Sequence, residues 1–181
     1  MKAGGDELRV GMAKFTTDAT ENTKITKDLD KVIADAKVMT YGGQATNTRA
    51  GYEKAREMLE AASRGSDYEK IIIFMTDGVT SAGVPPDDKF SLGFYKAKVE
   101  VITVGIADYS ETELLTMARS QDNIITVTSF DRLKAISDLI FEKACEVEVQ
   151  KESQCKGHAE ADSLNQYFTC DSGFCDWKFS L

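Results

Sequence analysis

Several stretches of the chain carry apolar residues in the manner of strands. Leu8 to Phe15 (LRVGMAKF) alternates apolar and other residues, the period of a half-buried strand. Ile71 to Met75 (IIIFM) is continuously apolar, a pattern that belongs to a parallel strand covered on both faces. Val99 to Val104 has the same character, and Gly105-Ile106-Ala107-Asp108 follows it. Ile124 to Val127 predicts a last strand, and Glu21 to Ile25, after the turn Thr16-Thr17-Asp18-Ala19, a short return strand.

Between these lie segments with helical spacing. Lys27 to Met39 places Leu29, Val32, Ile33 and Ala36 on one face, as an amphipathic helix does. Thr46 to Ser63 predicts a second helix with Ala50, Ala55, Met58, Leu59 and Ala62 inward, and Phe90 to Ala97 a short third. Ser110 and Glu113 have the spacing of a capping box, which opens a helix to Ser120. Asp131 to about Cys145 predicts a final helix with Leu133, Ile136, Leu139 and Ile140 inward. From residue 27 onward helices and strands alternate, so the expected fold is α/β, a doubly wound, Rossmann-like and mainly parallel sheet.

The 181 residues have room for one such domain and a short appendage. Residues 1–146 are read as the domain and 147–181 as a cysteine-containing tail or the start of a further segment. A net charge of −8 argues against nucleic acid, whose phosphates need cations to neutralise them. No stretch approaches the ~20 apolar residues of a membrane helix. Met1 to Arg9 (MKAGGDELR) has no apolar run of the kind a secretory signal needs. Cys145, Cys155, Cys170 and Cys175 all lie near the carboxyl end. Clustered from the very end of the domain onward, with no cysteine before residue 145, they read as an extracellular disulfide staple, with free thiols or a zinc site as the alternatives. His158 is the sole histidine, and it reads as a surface residue.

In open α/β sheets, ligands bind at the carboxyl ends of the strands. Two segments deliver oxygen-bearing side chains there. Gly42-Gly43-Gln44-Ala45-Thr46-Asn47-Thr48 is a loop running into a helix, and Met75-Thr76-Asp77-Gly78 brings an aspartate to the end of an apolar strand. A hydroxyl and a carboxylate are hard ligands of the sort Mg²⁺ takes along with waters. The plainer account is that Thr46 or Thr48 caps the helix and Asp77 serves a turn. No G-x-G-x-x-G or G-x-x-x-x-G-K-[ST] loop occurs, which speaks against a nucleotide-binding enzyme.

The runs LRVGMAKFTTDA, GGQATNTRAG, KIIIFMTDGVTSAG and VEVITVGIAD, in that order and spacing, resemble the von Willebrand factor A family over roughly residues 8 to 145. The resemblance implies a metal-ion-dependent adhesion site at the sheet edge. Thr46 would be its metal-contacting threonine, Asp77 its aspartate, often acting through water, and Thr48 a supporting neighbour. The family begins with an apolar strand ending in Asp-x-Ser-x-Ser and a long helix, and here only seven residues precede Leu8. The domain is therefore expected to be incomplete at its amino end, with two of five metal ligands. Asp108-x-Ser110-x-Thr112 has a related spacing but falls at an ordinary loop and helix start.

The sheet is expected to hold 8–15, 71–76 and 99–105 as parallel strands, with 123–127 at one edge and 21–25 antiparallel beside 8–15 at the other. A vacancy or closed-up gap should lie beside 71–76. The implied function is that of a protein-binding or adhesion module of an extracellular or cell-surface protein, not an enzyme. In the intact family a partner's acidic residue completes the metal's coordination. With two ligands here, Mg²⁺ or another divalent cation should bind weakly or not at all. The alternative is an intracellular scaffold or assembly-factor subunit with the same fold.

Overall fold

A computed structural model of the chain describes residues 8–40, 45–62, 68–140 and 143–144, and the backbone of 166–171 and 174–179. The chain opens with an antiparallel pair, β1 (Val10–Phe15) and β2 (Ala19–Thr26). Helices α1 (Leu29–Lys37) and α2 (Thr48–Ala62) follow. Then come β3 (Lys70–Thr76), α3 (Asp88–Lys96), β4 (Val99–Ile106), α4 (Glu111–Ala118) and β5 (Ile124–Val127). A 3-10 turn over Phe130–Ile136 leads into further helical residues. Strands β6 (Gln166–Asp171) and β7 (Phe174–Phe179) form an antiparallel hairpin in which Cys170 stands opposite Cys175. Cys145, Cys155 and His158 lie outside the described residues.

Strands β3, β4 and β5 form a parallel sheet in that order, with Thr76 beside Gly105 and Ile106 beside Val127. The α/β, Rossmann-like expectation holds. β1 and β3 share no ladder, so the gap expected beside 71–76 is present among the described residues, and β1–β2 stands as its own two-stranded sheet instead of joining β3–β5 in one.

Helix α2 nevertheless holds the two sheets in one frame. It crosses both at Gly51, where an added Cβ would sit 2.9 Å from the Phe15 ring and 2.9 Å from that of Phe74. Those rings stack with centroids 4.6 Å apart, and Tyr52 stacks on Phe74 at 3.9 Å. Gly11 lies against Met58, further along the helix. Beyond Phe74, β3 leads to Gly78, which meets Thr46 just ahead of α2. Both strands therefore run antiparallel to α2 and parallel to each other, with their carboxyl ends at the helix's amino end.

The core splits by face. Tyr52, Ile72, Phe74, Phe94, Val99, Val101 and Met117 pack beneath α2, α3 and α4. On the other face Ile102, Val104, Ile106, Ile125 and Val127 meet Leu133, Ile136 and Ile140 of the last helical segment. Leu139, expected inward, is exposed. Helix α1 lies on the side of β1 away from α2. Lys14, alternating with Gly11 and Phe15, donates to the Thr40 carbonyl, and buried Thr23 of β2 donates to Asp35 at 2.8 Å. Val32 and Asp35 are half-buried while Leu29, Ile33 and Ala36 are exposed, so the apolar face read for this helix is for the most part not the face it buries.

Strand β3 also differs from its predicted burial. Its unbroken apolar run predicts cover on both faces, but Ile73 and Met75 are 42% and 43% exposed. Only Ile72, Phe74 and Thr76, on the α2 side, are buried. Between α1 and the last helical segment, no described element covers this part of the sheet.

Candidate functional site

At the carboxyl ends of β1 and β3, three neighbouring polar residues at the start of α2 have three different roles. Asn47 is the cap: its side-chain oxygen accepts from the Ala50 amide at 3.1 Å. Its amide group donates to the Thr17 carbonyl and its backbone N–H to that of Thr16, tying in the β1–β2 turn. Gly83 presses on the same side chain, with φ +72° and a Cβ position 2.8 Å from the Asn47 oxygen. Only glycine tolerates both demands.

Thr48 is buried, and its hydroxyl donates to Glu113 at 3.2 Å. Thr46 is held by its backbone instead. The Ser81 hydroxyl accepts from the Thr46 N–H at 2.9 Å, and the Ser81 and Ala82 amides donate to the Thr46 carbonyl. The Thr46 hydroxyl has no hydrogen-bond partner among the described residues. It lies beside Gly78, where an added Cβ would come within 3.1 Å of it.

The turn after β3 follows the same logic. The Thr76 hydroxyl donates to the Gly78 carbonyl and accepts from the Gly78 amide, so Thr76 closes the turn. Asp77 is exposed, with no hydrogen bond or ion pair among the described residues. The two plain roles considered for Thr46 and Asp77, cap and turn, are thus filled by Asn47 and Thr76. A hydroxyl and a carboxylate are left on adjoining loops.

The rest of the β3–α3 loop is tied to α2 through Arg49. Its guanidinium donates to the Val84 and Pro85 carbonyls and to Asp87, and lies 4.4 Å over the Phe90 ring. Asp87 caps α3, and the Phe90 amide holds its carboxyl below the ordinary range, with Arg49 adding to that effect. Such cross-ties hold the end of the loop that runs from Asp77 to α3.

Asp108 follows β4 as an exposed residue, and Ser110 caps α4 by accepting from the Glu113 amide at 3.3 Å. The capping box is half formed, because the Glu113 carboxylate turns to Thr48 and Thr80 instead of back to Ser110. Sequence spacing pointed to Glu113 as a local partner and missed this role. Among the described residues, no three His, Cys, Asp or Glu side chains cluster to hold a metal. Thr46, half-buried, and Asp77, exposed, fit a divalent cation in donor chemistry as two hard oxygen ligands, but supply only part of a coordination shell.

Comparison with known proteins bears on this edge. A family model described as von Willebrand factor type A domain matches residues 1–139. The human collagen alpha-6(VI) chain is 25% identical over 154 residues, 81% of this chain, and the mouse collagen alpha-4(VI) chain 22% over 147 residues, 78% of it. The chain spans 6% of the length of each collagen chain. Among solved structures, proximal thread matrix protein 1 from the mussel byssus, with a zinc-occupied MIDAS motif, superposes with a TM-score of 0.70 at 28% identity. That match covers 80% of this chain and 38% of the other. Among the described residues no helix is long and apolar enough to cross a membrane.

Proposed function

The chain belongs to the von Willebrand factor type A domain family, and from that premise we propose that it is a protein-binding module of an extracellular or cell-surface assembly, binding through the carboxyl edge of its sheet. One observation carries the reading: the Thr46 hydroxyl stands without a protein partner beside Gly78, next to exposed Asp77. Thr46 and Asp77 are the metal ligands in this reading, Asp77 acting largely through water. The cation, Mg²⁺ or another divalent ion, would present open coordination sites to an acidic residue of a protein partner. The zinc at the corresponding motif of the byssus protein and the kinship with two collagen chains support both the cation and the extracellular setting. We assign the edge no catalytic residue.

Two protein ligands hold a divalent cation weakly against water, so the test must detect weak binding. In amide NMR spectra of the ¹⁵N-labelled chain, MnCl₂ should broaden Thr46, Asp77 and Gly78 first. Thr46→Ala and Asp77→Ala should each weaken that broadening about tenfold or more. Broadening that survives Asp77→Ala unchanged would place the cation elsewhere and sink the reading.

A further inference from the structure

The two loops of the candidate site are joined through a residue outside both. Glu113 projects from the first turn of α4. One of its carboxylate oxygens accepts from the Thr48 hydroxyl at 3.2 Å and the Thr80 hydroxyl at 2.5 Å, and the other accepts from the Thr80 amide at 3.2 Å. The two hydroxyl oxygens are themselves 2.6 Å apart. Thr48 lies two residues after Thr46, and Thr80 three residues after Asp77. The carboxylate thus grips both loops at once, across 65 and 33 residues of chain.

We propose that Glu113 is a positioning residue for the cation site, setting the separation of the Thr46 and Asp77 loops from α4. This rests on the metal reading above and names the element that regulates the site's geometry. Three features support it. Helix α4 is capped by Ser110 without the Glu113 side chain, so the carboxylate is free of that local duty. A carboxylate is the side chain suited to three converging donors, since it accepts at two oxygens and donates from neither. The contact points also lie close to the ligands along the chain. Thr48 begins α2, and Thr80 directly precedes Ser81 and Ala82, which hold the Thr46 peptide. Metal sites respond strongly to the groups that orient their ligands.

A negative charge near a cation site could act by attraction alone, and the test separates that from positioning. MnCl₂ titrations of the full ¹⁵N-labelled chain are compared among wild type, Glu113→Ala, Glu113→Gln and Thr80→Val, each with its thermal melt. Glu113→Ala should weaken Mn²⁺ broadening at Asp77 and Gly78 about tenfold. Glu113→Gln removes the charge, keeps an acceptor for the two hydroxyls and gives up the one that meets the Thr80 amide, so it should recover part of the loss. Thr80→Val keeps the charge and removes one tie, and should fall between wild type and Glu113→Ala; it also serves if Glu113→Ala does not fold. Equal losses in Glu113→Ala and Glu113→Gln, with Thr80→Val like wild type, would show attraction and overturn the inference. Wild-type broadening in every variant would overturn it too, leaving the metal reading intact. A wild-type chain with no broadening at this edge would overturn the metal reading, and the inference with it.

Discussion

Thr46, Asn47 and Thr48 show how far single residues can be read without a structure. All three types favour helix starts, and the choice of cap depends on which one has a side chain within reach of the third amide. Asn47 wins because its amide group also meets the Thr17 carbonyl, and that contact comes from a turn thirty residues earlier in the chain. Thr103 poses the opposite case. It lies fully buried in β4, and its hydroxyl has no hydrogen-bond partner among the described residues. A buried hydroxyl without a partner costs about 1–3 kcal/mol in lost hydration. Valine has nearly the same shape and suits a strand equally well. Thr103→Val should therefore stabilise the domain by about 1 kcal/mol, read as a higher urea midpoint at unchanged slope. A lower midpoint would mean that the hydroxyl has a partner in solution, such as a buried water. The apolar run Val99 to Val104 places Thr103 in a strand, but nothing local reveals that the strand's neighbours offer its hydroxyl no acceptor.

At the scale of elements, the order of strands and helices was legible, and so were the ladders from β3 to β5. These rest on apolar runs and on periodicity, which are local signals. Burial was less legible. The run Ile71 to Met75 announces a strand with two apolar faces, yet a face is buried only where another element lies over it. The apolar face of α1 is mostly uncovered for the same reason: Leu29 and Ile33 are exposed and Val32 is half-buried. The cap of α4 was read correctly from Ser110, while the destination of the Glu113 carboxylate depended on loops 33 and 65 residues away. This division makes a prediction. Ser110→Ala removes one amide's acceptor and should cost about 1 kcal/mol of stability. Mn²⁺ broadening at Asp77 should stay at the wild-type level, because Glu113 is also held by its contacts with Thr48 and Thr80. If Ser110→Ala weakened the broadening as much as Asp77→Ala does, the site would lie nearer the Asp108–Ser110 turn than the Thr46 loop.

For the molecule as a whole, the two sheets meet α2 side by side and are not hydrogen-bonded to each other. The edge of β1 away from β2 and the edge of β3 away from β4 carry no ladder among the described residues. On the face opposite α2, Ile73 and Met75 stand exposed between α1 and the last helical segment. One parallel strand would pair with both edges, and one helix after it would cover both side chains. The family resemblance supplies a candidate for that pair, an apolar strand ending in Asp-x-Ser-x-Ser followed by a helix. Fused ahead of residue 8, it should join the two sheets into one. Each ladder bond contributes about 1 kcal/mol net, set against roughly 1–2 kcal/mol of backbone entropy per residue ordered. Burial of the strand, the helix and the exposed β3 face must therefore provide the surplus. For a protein of this size, each kcal/mol gained raises the melting temperature by about 2–4 °C. A rise of at least ~4 °C is the expected outcome. The new strand's carboxyl end would arrive between the Thr46 and Asp77 loops, adding three hard oxygens to the two already there. Mg²⁺ binding should then become measurable by calorimetry, and Asp77→Ala should reduce it while leaving most of the thermal gain. A fused protein that is stabilised yet blind to Mg²⁺ would show that the vacancy is structural and that this edge does not bind its partner through a cation. Mg²⁺ binding that ignored Asp77→Ala would instead put the aspartate outside the coordination shell.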